Sequence, residues 1–234
     1  MNSSPRRTFL QTALALGSLA ALRPAGLAAA AAKLPAKPAA KTFKISLAQW
    51  SLNKRVLRRP GAEPLDNLEF AKIARAEGID GLEYVNQMFK DTAKDGAYLA
   101  EMKKRAAGEG VKSLLIMVDG EGNLGAPQEA ARAETGEHHH KWLDAAASLG
   151  CHSIRVNAAS DAKLPAAEQA KLAADGLHRL CAEGDKRGLW VVVENHGGMS
   201  SHGKLLTQVK NRILAGTGRN WTNVEPQRVT NVVS

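Results

Sequence analysis

Gly188-Leu189-Trp190-Val191-Val192-Val193-Glu194-Asn195-His196-Gly197-Gly198 is the stretch that decides the fold. Five apolar residues in a row read as a strand covered on both faces, as in parallel sheets. The run ends in a carboxylate, an amide and an imidazole before two glycines release the chain. Side chains alternate along a strand, so Glu194 and His196 share the side of Val192 and Asn195 takes the other. An apolar strand with an acid and a histidine at its C-terminal lip is how α/β barrels assemble chemistry; the plainer alternative is a strand end that meets solvent.

Working outward, the same unit recurs four times. An alanine-rich amphipathic helix ends in glycine, an apolar residue follows, and a strand begins. The joints are Glu77-Gly78-Ile79, Glu109-Gly110-Val111, Leu149-Gly150-Cys151 and Arg187-Gly188-Leu189. Glycine accepts the left-handed conformation that closes helices. The strands inferred are Phe43–Trp50, Ile79–Val85, Val111–Val118, Cys151–Val156 and Leu189–Glu194. The helices between them are Leu65–Glu77, Ala93–Ala107, Gln128–Leu149 and Pro165–Lys186. Strand and helix in strict alternation mean parallel β/α units with right-handed crossovers.

An open doubly wound sheet would favour a glycine fingerprint after its first strand. Here Trp50 is followed by Ser51-Leu52-Asn53-Lys54-Arg55. Every strand instead ends in polar or aromatic residues: Gln49 and Trp50, Glu83 and Tyr84, Asp119, Arg155 and Asn157, Glu194 and His196. Contributions from every strand favour the mouth of a barrel, so the expected fold is an α/β, TIM-type parallel barrel.

The 234 residues are 44% hydrophobic and 24% charged, enough for one sizeable core. The formal charge of +9 sits mostly at the two ends. Residues 1–32 hold Arg6, Arg7 and Arg23 and no acid; residues 199–234 hold Lys204, Lys210, Arg212, Arg219 and Arg228 against Glu225. Residues 33–198 therefore carry only +2. A nucleic-acid binder usually places its basic excess on the folded body, so no nucleic-acid partner is expected. Cys151 and Cys181 are too few for a disulfide scaffold and read as free thiols, a single bond between them being the alternative.

Ser3-Ser4-Pro5-Arg6-Arg7-Thr8-Phe9-Leu10-Gln11 looks like a twin-arginine export signal, followed by a modest apolar stretch and small-residue cleavage sites within Ala28 to Ala32. Its apolar part is too short to span a bilayer. Residues 1–32 are therefore assigned to the signal and 33–41 to a flexible leader. An exported, periplasmic protein with no membrane attachment after signal removal is expected.

Ile45-Ser46-Leu47-Ala48-Gln49-Trp50-Ser51, Gly81-Leu82-Glu83-Tyr84, His152-Ser153-Ile154-Arg155-Val156-Asn157 and Val193-Glu194-Asn195-His196-Gly197-Gly198 together resemble the sugar phosphate isomerase/epimerase family. This is the xylose isomerase-like TIM barrel group, which also includes endonuclease IV-type enzymes. The resemblance implies a divalent metal (Mn, Mg or Zn) held at the barrel mouth by carboxylates and a histidine, with Glu194 at the place of the fifth-strand ligand. It also implies acidic residues that move a proton beside a metal-polarised carbonyl. Hard cations prefer carboxylate oxygen, and a glutamate can serve as the base.

The resemblance covers about residues 42–203. Residues 210–234 contain only Glu225 as an acid and offer no sixth-strand ligand. Five units of the eight cannot close a ring. The expectation is an incomplete barrel over residues 42–209, impaired in activity by C-terminal truncation, with 210–234 an atypical tail, disordered or non-native.

Glu194 and Glu83 are thus the candidate catalytic residues, Glu194 ranking first and doubling as metal ligand. Trp50, Arg155, Asn157 and His196 are candidates for substrate binding. Trp50 stacks on a sugar ring or belongs to the core. Arg155 and Asn157 share strand parity and point into the mouth, where a phosphate or hydroxyl suits them; an internal pair of Arg155 with Glu194 or Glu83 is the alternative. Asp119 reads as a turn residue. His138-His139-His140 spread around a helix and cannot all face one ion, so they read as a solvated face. The expected partner is a small sugar or sugar phosphate, with room for a homo-oligomer. A non-catalytic carbohydrate-binding remnant and, less favoured, an endonuclease IV-like phosphodiesterase are the rivals.

Overall fold

The computed structural model describes residues 44–217. The signal and leader assigned to residues 1–41, and most of the tail, lie outside them. Five parallel strands form one sheet: β1 Ser46–Ala48, β2 Gly81–Val85, β3 Lys112–Met117, β4 Ser153–Asn157 and β5 Trp190–Glu194. Their spatial order is β1-β2-β3-β4-β5, the order of the chain itself. A doubly wound sheet reverses direction at a switch point. This one never does, so it winds as a barrel wall winds.

The helices are α1 Asn53–Val56, α2 Phe70–Ala76, α3 Gly96–Gly108, α4 Glu129–Leu149, α5 Ala166–Asp185 and α6 Gly203–Thr217. Helices α2 to α5 each match a helix expected from the sequence. Gly78, Gly110, Gly150 and Gly188 all have positive φ, between 67° and 76°, so the repeated joint works as read. Helix α6 continues past Val209, so the start of the expected tail is helical.

Two expectations change at the sheet. The first strand stops at Ala48, because Ser51 Oγ donates to the Ala48 carbonyl and Asn53 Nδ2 to that of Trp50, curling Gln49–Leu52 into a 3-10 turn. The last strand is covered on one face only. Val191 is buried and Val193 packs against the core, whereas Trp190 is 38% exposed and Val192 half-buried. Among the described residues no strand lies beyond β5, which leaves that flank open.

The core lies between the sheet and the helices. Leu82, Tyr84, Ile116, Ile154 and Val156 point outward from the strands to meet Phe70, Leu99, Trp142, Leu143, Ala173 and Leu177. Tyr84 makes edge contacts with Phe70 and Phe89, and Phe89 with Trp142. Burial pushes the Tyr84 hydroxyl pKa up to about 12 despite its contact with Ser113 Oγ, as a hydrophobic environment disfavours phenolate. Tyr84 is therefore core and not part of the mouth.

The opposite face of the sheet is polar. Registers Ser46↔Gly81, Ala48↔Glu83, Met117↔Arg155 and Asn157↔Glu194 place Ser46, Glu83, Arg155, Asn157 and Glu194 together on it. This is the inner face, and its polar end is the C-terminal rim of the strands.

Candidate functional site

The rim begins with a structural clip. Gln49, wholly buried, accepts from the Val85 backbone N–H through Oε1 (2.9 Å) and donates through Nε2 to Asn67 Oδ1. Asn67 in turn donates to the Tyr98 hydroxyl at 3.0 Å. Gln49 thus ties the end of β1 to β2, with its polar groups fully used.

One place along, Glu83 is buried and accepts from Ser46 Oγ at 2.5 Å. Asn86 follows β2 and is 2% exposed. Its amide grips the backbone of Asp119 at both ends: Nδ2 donates to the Asp119 carbonyl (2.8 Å) and Oδ1 accepts from its N–H (3.2 Å). That double bond fixes the residue just past β3.

Asp119 is the centre of the arrangement. Its Oδ1 accepts from Arg155 Nη1 at 2.8 Å and from Asn157 Nδ2 at 2.7 Å. The other arm of Arg155 reaches Glu194, with Nη2 2.5 Å from Oε2. The guanidinium and the Glu194 carboxylate are only 10% and 8% exposed, so this pair works in a low dielectric. The contact is a short, buried, charge-assisted one. Asn157 Oδ1, by contrast, is buried without a donor. A buried acceptor left unmatched is rare, and one at a rim marks a place where a donor belongs.

Arg155 therefore takes its internal option, with Glu194 and Asp119 as partners. Asp119 was read from the sequence as a turn residue; that reading is corrected, because its carboxylate organises the rim. The signal missed was position: Asp119 lies one β/α unit before Asn157 and immediately after an apolar strand.

The remaining candidates stand apart. Trp50 is 44% exposed on its 3-10 turn, which removes the core alternative. His196 lies past the end of β5, exposed, and makes no hydrogen bond or ion pair among the described residues. The histidine run is only partly the solvated face expected. His138 and His140 lie beside Glu134 and Glu137, but His139 is 3% exposed with Nδ1 on the Thr135 carbonyl, and burial lowers its pKa. Cys151 and Cys181 are not joined to each other by a disulfide.

Behind the rim, the loop after β3 is locked to α4. Glu121 Oε1 accepts from Trp142 Nε1 at 2.7 Å and its Oε2 from Lys141 Nζ at 3.1 Å. Burial would raise the Glu121 carboxyl, but these donors outweigh it and hold its pKa below the usual range. The same loop meets α5 at Gly176, where a Cβ would lie 1.8 Å from the Leu124 carbonyl oxygen.

A sequential parallel sheet with its charges gathered at the C-terminal rim is the TIM-barrel arrangement. The family model described as "Xylose isomerase-like TIM barrel" matches residues 70–225. The chain belongs to the xylose isomerase-like TIM barrel family. No functionally curated protein matches it. Among solved structures, the IOLI protein with a bound zinc atom superposes with a TM-score of 0.60 at 14% identity, over 73% of this chain and 59% of that one. D-psicose 3-epimerase from Clostridium cellulolyticum H10, solved with D-tagatose, gives 0.57 at 14%, over 73% and 61%. A D-psicose 3-epimerase solved in the presence of D-fructose gives 0.56 at 15%, over 71% and 60%. This chain spans about 60% of the length of these xylose isomerase-like neighbours. At such identities the likeness is one of fold.

The family resemblance implies a metal, and the described residues do not by themselves fit one. No three His, Cys, Asp or Glu side chains among them converge as a cation would need. Glu194, the expected ligand, spends its charge on Arg155. One carboxylate already neutralised by a guanidinium is a poor partner for a hard dication.

Proposed function

We propose that this chain acts in carbohydrate isomerisation or epimerisation, by proton transfer at a carbon beside a carbonyl. The observation that carries this reading is the inner-face cluster of Glu83, Asp119, Arg155, Asn157 and Glu194 at the C-terminal rim of a family-typical sheet. Glu194 is the preferred base. It is buried, stands at the open flank, and meets Arg155 through Oε2. Asn157 Oδ1 would accept a substrate hydroxyl beside it, and Arg155 would keep Glu194 aimed. Glu83, held by Ser46, is the second carboxylate. Exposed Trp50 could lie against a sugar ring, and His196 could donate to a hydroxyl.

The substrate proposed is a small sugar or sugar phosphate; the epimerase neighbours were solved with D-fructose and with D-tagatose. A divalent cation would need Glu194 released from Arg155 and further donors from outside residues 44–217. Export through the twin-arginine route is inferred from Ser3–Gln11 alone; cell fractionation with Arg6 and Arg7 both changed to Lys should retain the precursor inside. The function is tested by incubating the full chain with ketoses in D2O and following loss of C–H signals. Exchange that disappears in Glu194→Gln supports the reading. Sugar binding with no exchange in any member of the panel would replace it with a carbohydrate-binding role.

A further inference from the structure

We propose that Asn157 is a specificity-determining residue: Asp119 locks its amide so that it can only accept, and the rim therefore selects a ligand hydroxyl that donates. The inference deepens the sugar reading above and rests on it for the ligand class, but it concerns binding and not proton transfer.

An amide can meet a ligand in two ways, donating through Nδ2 or accepting through Oδ1, and turning it over exchanges the two. Here only one way is open. Asn157 Nδ2 lies 2.7 Å from Asp119 Oδ1, which Arg155 Nη1 also meets at 2.8 Å. A carboxylate paired with a guanidinium offers lone pairs only, so the reversed amide would set oxygen against oxygen. Asp119 cannot swing away to relieve that clash, because Asn86 holds its carbonyl at 2.8 Å and its N–H at 3.2 Å. Asn86 and Asp119 are thus positioning residues. What Asn157 has left to offer is Oδ1, which is buried and without a donor.

The neighbour across the register is Glu194. Its carboxylate brings no donor, and Arg155 is committed to two acids. A ligand that reaches this corner must therefore bring the proton itself. A hydroxyl does so; a carbonyl, an ether oxygen or a fluorine does not. A bound ketose would turn a hydroxyl toward β4 and its carbonyl away from it. Sites whose buried polar groups need a partner reject analogues that lack one.

The test is calorimetric binding of D-fructose, D-tagatose and derivatives of each with one hydroxyl at a time replaced by fluorine, which is close in size but cannot donate. At one position the full parent chain should lose affinity by at least about tenfold, the effect of stranding a buried acceptor. Asn157→Ala should bind the hydroxyl and fluorine forms of that pair alike. Asp119→Asn can donate to Asn157 Oδ1 and let the amide turn over, so its fluorine penalty should shrink several-fold. Should Asp119→Asn lose its cooperative melt, Asn157→Ala decides alone. A penalty that survives Asn157→Ala overturns the proposal, as does a folded Asp119→Asn that keeps the full penalty. So does a parent that tolerates fluorine at every position or binds no member of the panel. Solvent exchange on the same samples separates the two readings. Selectivity without exchange upholds Asn157 and removes the isomerase reading, while exchange without selectivity does the reverse.

Discussion

Asp119 carries more of the rim than its setting in a Val-Asp-Gly-Glu-Gly stretch suggests. One oxygen serves both Arg155 and Asn157, so Asp119→Ala strips two donors at once and leaves the Arg155–Glu194 pair unanchored. Breaking buried charged networks costs about 3–5 kcal/mol, and the partial exposure of Asp119 places this variant toward the lower end. Urea unfolding of Asp119→Ala against Asp91→Ala, an exposed control, would measure it. What the sequence revealed at this scale was parity. Arg155, Asn157 and Glu194 fall on one face, as alternation dictates. What it concealed was partnership: nothing local tells Arg155 that its second acid lies 36 residues earlier, or Asn86 that it will hold a backbone 33 residues on. The end of β1 was misplaced for a related reason. Two side-chain bonds to backbone end β1 early and turn the indole outward.

At the scale of elements, α5 packs on the loop after β3 only because residue 176 lacks a Cβ. Gly176→Ala would drive a methyl into the Leu124 carbonyl, a backbone atom that cannot swing aside. A loss at or above the usual 1–3 kcal/mol of overpacking is expected, read from the thermal midpoint. Gly136, inside α4, has nothing within 4 Å of its would-be Cβ. Gly136→Ala should therefore stabilise by about 0.5–1 kcal/mol. The junction of α4 with the loop after β3 holds two acid-sensitive groups. Glu121 has a pKa depressed by its donors and His139 one depressed by burial. Both groups bind protons more readily unfolded than folded. Their stabilisation is whole above the unfolded values, near neutrality for the histidine, and is lost as pH falls through the lower folded values. Thermal midpoints should drop from pH 7 to pH 4, and Glu121→Gln should flatten the acidic limb of that profile. A profile unchanged by the substitution would remove Glu121 from the account. Helices α2 to α5 and their closing glycines were legible beforehand because their signals are local: period, cap, and the residue after the cap.

For the molecule as a whole, the strand order was legible and its extent was not. Alternating units predict a parallel sheet, and the lack of a glycine fingerprint favours a barrel; the sequential order of five strands agrees. Among the described residues, β1 and β5 each keep one edge unpaired, and exposed Ile45 and Trp190 lie beside them. Open edges flanked by apolar side chains invite pairing with another chain. Sedimentation velocity is expected to show concentration-dependent association that Trp190→Ser weakens. A monomer throughout the micromolar range would count against it.

The four helix-ending glycines precede the strands, whereas Glu83 and Arg155 lie within them, Glu194 at the end of β5 and Asp119 past the end of β3. Architecture and chemistry thus occupy opposite poles of the sheet. A peptide tag, a crosslink or even new chain termini grafted beside Gly110 or Gly150 would fall at the assembly pole. Such grafts could report on how the units stack while leaving the reactive pole untouched.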